Sequence, residues 1–265
     1  VEYGARVVAA DMQVEKGEAL ETRFGSDTVR FVSCNVTVRS DLEKVMKTAE
    51  DAFGGLDILF NNAGAGGPME GVETLDFDAY QGIMDLLLKS CFEGTQLAIP
   101  LMKTRGGGAI VNTSSVSALA AGYAPLTYSV AKAGVAHFSR MAAAELGKYK
   151  IRVNAIAPGF IATSIFGSSL GMPREMADQM AEMLAQNGGG IQPMGRVGKG
   201  RDIAEMVAFL GSEAGSFISG VTLTVDGGIT VGPPHSWKDD AGGPIADALG
   251  VTPEQIEALS AGNQT

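Results

Sequence analysis

Three side chains whose types and spacing suit proton transfer lie near one another in the chain: Ser115, Tyr128 and Lys132. Tyr128 and Lys132 are four residues apart in the segment YSVAKAGVAHFSRMAAAEL, which is rich enough in Ala and Leu to be helical, so both fall on one helix face. A phenol titrates near pH ~10 and is a poor base at neutrality unless a neighbouring positive charge favours its ionised form. With Lys132 supplying that charge, Tyr128 can give a proton to a carbonyl oxygen or take one from an alcohol, help worth roughly 10²–10⁴ in rate. Ser115 stands where the apolar run Ala109-Ile110-Val111 passes into Thr113, Ser114 and Ser115, so its hydroxyl, at the end of a strand, is placed to hold the substrate oxygen. Taken alone, Y-x-x-x-K is equally a common surface pair on an amphipathic helix.

The elements that must position these groups can be read in order. Residues 5–11 (ARVVAAD) form an apolar strand ending on Asp11, a carboxylate at the strand edge or a solvated loop residue. A helix is expected over 14–24, a strand over 29–33, then Cys34-Asn35-Val36-Thr37. Another helix follows over 41–53, with Leu42, Val45, Met46, Ala49 and Phe53 on one face. Residues 56–64 (LDILFNNAG) are a strand whose end, Asn61-Asn62-Ala63-Gly64, is either a turn or a set of side chains linking strand ends beside an open backbone. One long helix is expected over 77–102 and another near 125–148. A strand over 151–157 precedes Pro158-Gly159-Phe160-Ile161-Ala162-Thr163. Residues 164–201 are irregular and carry Met172, Met176, Met180, Met183 and Met194. These serve either as a core-facing helix or as an adaptable apolar wall. A helix over 201–211, a strand over 221–225 and Asp226-Gly227-Gly228 follow. In the tail, Thr252-Pro253-Glu254-Gln255 is a capping-box start for a short helix to about Ala261.

The chain has 265 residues, 45% of them hydrophobic, enough for one substantial α/β core. A net charge of −10 argues against a nucleic-acid surface and for small-molecule partners. Cys34 and Cys91 form no C-x-x-C, so neither a disulfide framework nor a zinc site is expected; both read as buried thiols of a reducing, cytoplasmic compartment. No apolar run approaches the ~18 residues of a membrane span. His137 and His235 are isolated, and no metal site is expected.

The Ser-Ser strand end, the thirteen-residue gap to Tyr128, Y-x-x-x-K, N-N-A-G, P-G-x-I-x-T and D-G-G together resemble the short-chain dehydrogenase/reductase family over about residues 2–228. The resemblance implies catalytic roles for Ser115, Tyr128 and Lys132. It implies dinucleotide contacts at Asp11, Asn35, Val36, Asn62, Ala63, Gly64, Tyr128, Lys132, Pro158, Gly159, Ile161 and Thr163. Asp11 would bind the adenine ribose and repel the extra phosphate of NADP, so NAD is the expected cofactor. Two positions depart from the family pattern: Asn35 replaces an Asp, and Leu87 stands where an Asn usually holds a relay water by its carbonyl in a distorted helix.

The implied fold is α/β, a doubly wound, Rossmann-type parallel sheet in three α/β/α layers, with six strands recognisable and the first strand and glycine-rich turn missing. That strand is central in the family order 3-2-1-4-5-6-7, so a gap in the sheet, poor stability and weak dinucleotide binding are expected of what reads as a fragment. Residues 1–232 form this domain and 233–265 a C-terminal extension. The implied activity is interconversion of a secondary alcohol and a ketone, on a small apolar or cyclic substrate, in a homo-oligomer (dimer or tetramer) built on the long helices. The alternatives are a 3-oxoacyl-carrier-protein reductase and a non-catalytic scaffold of the same fold.

Overall fold

Short runs of β-branched and apolar residues alternate with amphipathic segments along the chain, and a computed structural model, which describes residues 1–238, 241–252 and 255, resolves them into parallel strands and covering helices. β1 (Val7–Asp11), α1 (Val14–Phe24), β2 (Val29–Ser33) and α2 (Arg39–Phe53) come first. Gly54, in the left-handed region at φ 80°, closes α2. β3 (Ile58–Asn61) leads through a loop to α3 (Phe77–Met84), whose N-cap Asp76 accepts from the amides of Asp78 and Ala79 at 2.8 and 2.9 Å.

The long helix expected over 77–102 is not continuous. A π-helical turn over Asp85–Lys89 separates α3 from α4 (Ser90–Thr104). Two carbonyls of that widened turn are taken by side chains four residues on: Ser90 Oγ donates to Leu86 O at 2.5 Å and Cys91 Sγ to Leu87 O at 3.4 Å.

β4 (Gly108–Thr113), α5 (Leu126–Leu146) and β5 (Ile151–Pro158) form the centre of the molecule. The segment after β5, irregular by sequence, contains α6 (Ile165–Ser169) and α7 (Arg174–Asn187) before α8 (Gly200–Gly211) and β6 (Thr222–Val225). A short helix, α9 (Pro244–Leu249), follows β6. Thr252 and Gln255 make the reciprocal capping-box bonds, 2.8 and 3.3 Å, while the helix expected to Ala261 lies outside the described residues.

Among the described residues all strand pairs are parallel, in two separate sheets: β1-β2, and β3-β4-β5-β6. The expected discontinuity is present, since β1 and β3 do not pair with one another. Ile58, at the start of β3, is 37% exposed, whereas β5 in the middle is almost wholly buried.

Neighbouring strand residues face opposite layers, as the pleat requires. Ile110 packs with Met46, Met102, Leu146 and Val153 between the sheet and helices α2, α4 and α5. Val111 packs with Ile156, Ile203 and Leu210 under α8. Met46 of α2 thereby ties the two-stranded unit to the four-stranded one. Surface contacts add to this tie: Arg39 to Gln96 at 2.9 Å, Lys16 to Asp178 at 2.9 Å and Arg201 to Glu2 at 2.9 Å.

Candidate active site

Parallel strands share one direction, so their C-terminal ends line a single edge, where α/β sheets bind ligands. Asp11 ends β1, Asn35 and Val36 follow β2, Asn62-Ala63-Gly64 follow β3, Ser115 follows β4, and Pro158 to Thr163 leave β5. Tyr128 and Lys132 reach the same edge from the first turns of α5.

The catalytic candidates converge. The Ser115 hydroxyl lies close enough to the Tyr128 phenol to act on its ionisation, and the Lys132 ammonium lies 5.6 Å from the Tyr128 ring centroid. Lys132 is 3% exposed, and its Nζ donates to Thr113 O at 2.7 Å; the neighbouring Ser114 Oγ donates to Lys132 O at 2.8 Å, pinning α5 to the end of β4. The loop after β3 closes on this helix. A Cβ on Gly67 would lie 2.8 Å from Thr127 Oγ1 and 3.3 Å from the Tyr128 amide, and one on Gly66 would collide with Ser169 of α6. Glycine at these two positions lets the loop fit between α5 and α6.

The electrostatics correct one expectation. Burial pushes the Tyr128 phenol above its ordinary value, and Ser115 only partly opposes this; no lowering by Lys132 contributes. The reason is geometric. The ammonium is directed at the Thr113 carbonyl and sits over the ring, and it is itself desolvated, which lowers Lys132 to about 8.

A family model described as enoyl-(acyl carrier protein) reductase matches residues 1–230. Over 235 residues the chain is 36% identical to momilactone A synthase of Oryza sativa subsp. japonica, covering 87% of this chain and 83% of that one. It is 33% identical to (+)-borneol dehydrogenase 2 of Salvia officinalis, covering 86% and 81%. It is also 34% identical to trans-4-hydroxycyclohexanecarboxylate dehydrogenase of Sinomonas cyclohexanicum, covering 90% and 88%. The chain belongs to the short-chain dehydrogenase/reductase family.

Short-chain dehydrogenases/reductases typically bind NAD(P), and the residues at the sheet edge fit such a dinucleotide at its two ends. After β5, Ile161 forms a parallel bridge with Gly198, through Gly198 N to Phe160 O (2.9 Å) and Ala162 N to Gly198 O (2.8 Å). The Ile161 amide and carbonyl therefore point to the opposite side. Gly159 donates to Val225 O at 3.1 Å, a Cβ there would strike Asp226 at 2.8 Å, and Thr163 is exposed.

At the end of β1, Asp11 Oδ1 accepts from the Gln13 amide at 2.8 Å and the carboxylate is exposed. Asn35 Oδ1 accepts from Thr37 N and Oγ1 at 3.1 and 2.8 Å, so its oxygen builds the turn and its amide nitrogen is the group left for a ligand. Between these ends, among the described residues, no glycine-rich strand-to-helix turn stands at the gap between β1 and β3 to receive a pyrophosphate.

Several supporting residues escaped the sequence reading. Asn112, wholly buried, accepts from Asn61 Nδ2 at 2.7 Å and donates to Ser139 Oγ at 2.9 Å, fixing β3, β4 and α5 in register. An Asn inside an apolar strand was the available signal. Gln192, 1% exposed, accepts from Phe160 N at 3.1 Å and donates to Phe160 O and Arg196 O at 3.2 and 3.1 Å, holding the Pro158–Thr163 loop. No local pattern marks it. D-G-G is a turn in which Asp226 accepts from Gly228 N and from Thr230 N and Oγ1 at 2.9, 3.0 and 2.6 Å.

Proposed function

We propose that this short-chain dehydrogenase/reductase chain is an NAD-dependent oxidoreductase that interconverts a secondary alcohol and a ketone on a small, apolar, cyclic substrate. The convergence of Ser115, Tyr128 and Lys132 at one sheet edge carries the reading. NAD supplies a hydride acceptor, or NADH a donor, at the nicotinamide ring.

Ser115 donates to the substrate oxygen and fixes its position, while Tyr128 exchanges the proton on that oxygen. Lys132, its ammonium fixed by the Thr113 carbonyl, supplies a donor for the nicotinamide ribose. Asn62, Ala63 and Gly64 give the dinucleotide an open backbone, Pro158 to Thr163 border the carboxamide, and Asn35 and Val36 border the adenine. Asp11 accepts from the adenine ribose hydroxyls and repels a 2′-phosphate. Support for a cyclic substrate comes from relatives named for borneol and for a hydroxycyclohexanecarboxylate. An apolar one is supported by Leu170, Met176 and Met183, exposed on the segment after β5.

A panel of cyclic secondary alcohols assayed with NAD and with NADP tests the proposal. NADH formation preferring NAD is expected, and a preference for NADP contradicts the role of Asp11. A second reading is a 3-oxoacyl-carrier-protein reductase, favoured by a family model whose description names an acyl-carrier-protein substrate. Reduction of the ketone of 3-oxoacyl thioesters with NADPH, and no turnover of cyclic alcohols, would establish it instead.

We assign residues 1–232 to the catalytic domain and 233–265 to an extension, a boundary supported by the end of the family match at residue 230. Two buried free thiols, Cys34 and Cys91, support a reducing compartment such as the cytoplasm. Among the described residues no helix is long and apolar enough to cross a membrane. A homo-oligomer, dimer or tetramer, is supported by apolar side chains left open on α4 and α5, where Phe92 stacks on Phe138 and Met141 is 58% exposed.

A further inference from the structure

The buried ammonium of Lys132 has a neighbour to which no role has been assigned. The π-helical turn Asp85–Lys89 turns Leu87 fully inward, at 0% exposure. A Cβ built on Gly64 would lie 3.1 Å from Leu87 Cδ2 and 3.9 Å from Lys132 Nζ, so the isobutyl group and the ammonium converge on one point beside the backbone of the loop after β3. On the far side, Lys132 Nζ donates to the Thr113 carbonyl at 2.7 Å. Behind Leu87, the Cys91 thiol is occupied with the Leu87 carbonyl at 3.4 Å. An ammonium has three protons to place, and an apolar wall accepts none of them.

We propose that Leu87 is a positioning residue for Lys132: its side chain closes the space beside the ammonium to water and leaves the Thr113 carbonyl as the acceptor that fixes the ammonium's direction. The role rests on the dehydrogenase reading of the site, because it matters for turnover only if Lys132 acts there. The immediate consequence is that the charge on Lys132 is held weakly. Burial lowers its titration to about 8, with Cys91 pulling slightly the other way.

The remaining ionisable groups on the elements packed against Lys132 do not offset that burial. Cys91, from α4, has its own thiol pushed up by burial and is neutral near pH 7. Tyr128, on the same helix, is raised and likewise neutral. Asp85, on the π turn, accepts from Gln81 at 2.9 Å at an exposed position, and Lys89 is exposed. With a polar side chain at residue 87, or with space for water there, the ammonium gains acceptors and holds its proton to higher pH.

The test is the titration of Lys132 followed by NMR of lysine labelled at Cε, with the signal assigned by its loss in Lys132→Met. This readout is independent of turnover, so it can succeed or fail whether or not an alcohol is ever oxidised. A midpoint near 8 is expected in the unaltered chain, rising by about one pH unit or more in Leu87→Asn. Leu87→Ala, which admits water without adding a polar atom, must move it in the same direction, while Leu87→Met must leave it in place. In the reducing direction, the alkaline limb of kcat/KM should move with the midpoint in each variant. A midpoint unchanged by Leu87→Asn and Leu87→Ala, or an ordinary lysine value in the unaltered chain, overturns the proposal.

Discussion

At the scale of single residues, the site is governed by burial more than by charge pairing. Tyr128 is raised and hence protonated at neutral pH, so it is ready to donate to a ketone oxygen but must lose a proton before it can accept one from an alcohol. Oxidation should therefore speed up with rising pH across the neutral range, while reduction should be flat and then fall as Lys132 loses its charge through about 8. Initial rates in both directions over pH 6–10 check this, and an oxidation rate that falls with pH contradicts it. At the other end of the edge, Asp11→Ala should relax the preference for NAD over NADP by roughly tenfold or more, the equivalent of about 1.4 kcal/mol. An unchanged ratio would return Asp11 to a loop role, in which it merely accepts from the Gln13 amide.

At the scale of elements, side-chain amides set the register that brings these groups together. Asn112→Ala leaves the half-buried Asn61 amide without its acceptor, a loss of about 1–3 kcal/mol. In a chain of this size that lowers Tm by about 2–4 °C per kcal/mol. Thermal unfolding of the variant checks this, and an unchanged Tm contradicts the register role.

The helices and strands that could be read in advance are those with a strong local signal. α1 and β2 fall on the expected residues, Val14–Phe24 and Val29–Ser33, because amphipathic period and β-branching both act locally. The π turn at Asp85–Lys89 was not legible as such. One residue of altered hydrogen-bond register depends on what Ser90, Cys91 and Leu87 meet in three dimensions. Gln192 escaped for the same reason, since all its partners are backbone groups brought in by folding. Tyr128, Lys132 and Ser115 were legible because a helical spacing of four and a strand end fix their direction from the sequence alone.

At the scale of the molecule, two parallel sheets share one functional edge but no hydrogen-bonded ladder between β1 and β3. Amides on the facing edges of β1 and β3 should exchange with solvent much faster than those between β4 and β5, which are paired over six residues in the core. Hydrogen exchange resolved by strand checks this, and equal protection would mean that the two sheets close on one another.

The account rests on Tyr128 as the group that exchanges the substrate proton, so the most direct measurement is alcohol-dependent NADH formation by the chain and by Tyr128→Phe at millimolar NAD. The ring and its packing are kept while the hydroxyl is lost. Turnover by the chain with a loss of at least about 10²-fold in the variant is the predicted result; equal rates in the two proteins, or no turnover by either across the alcohols, would contradict it.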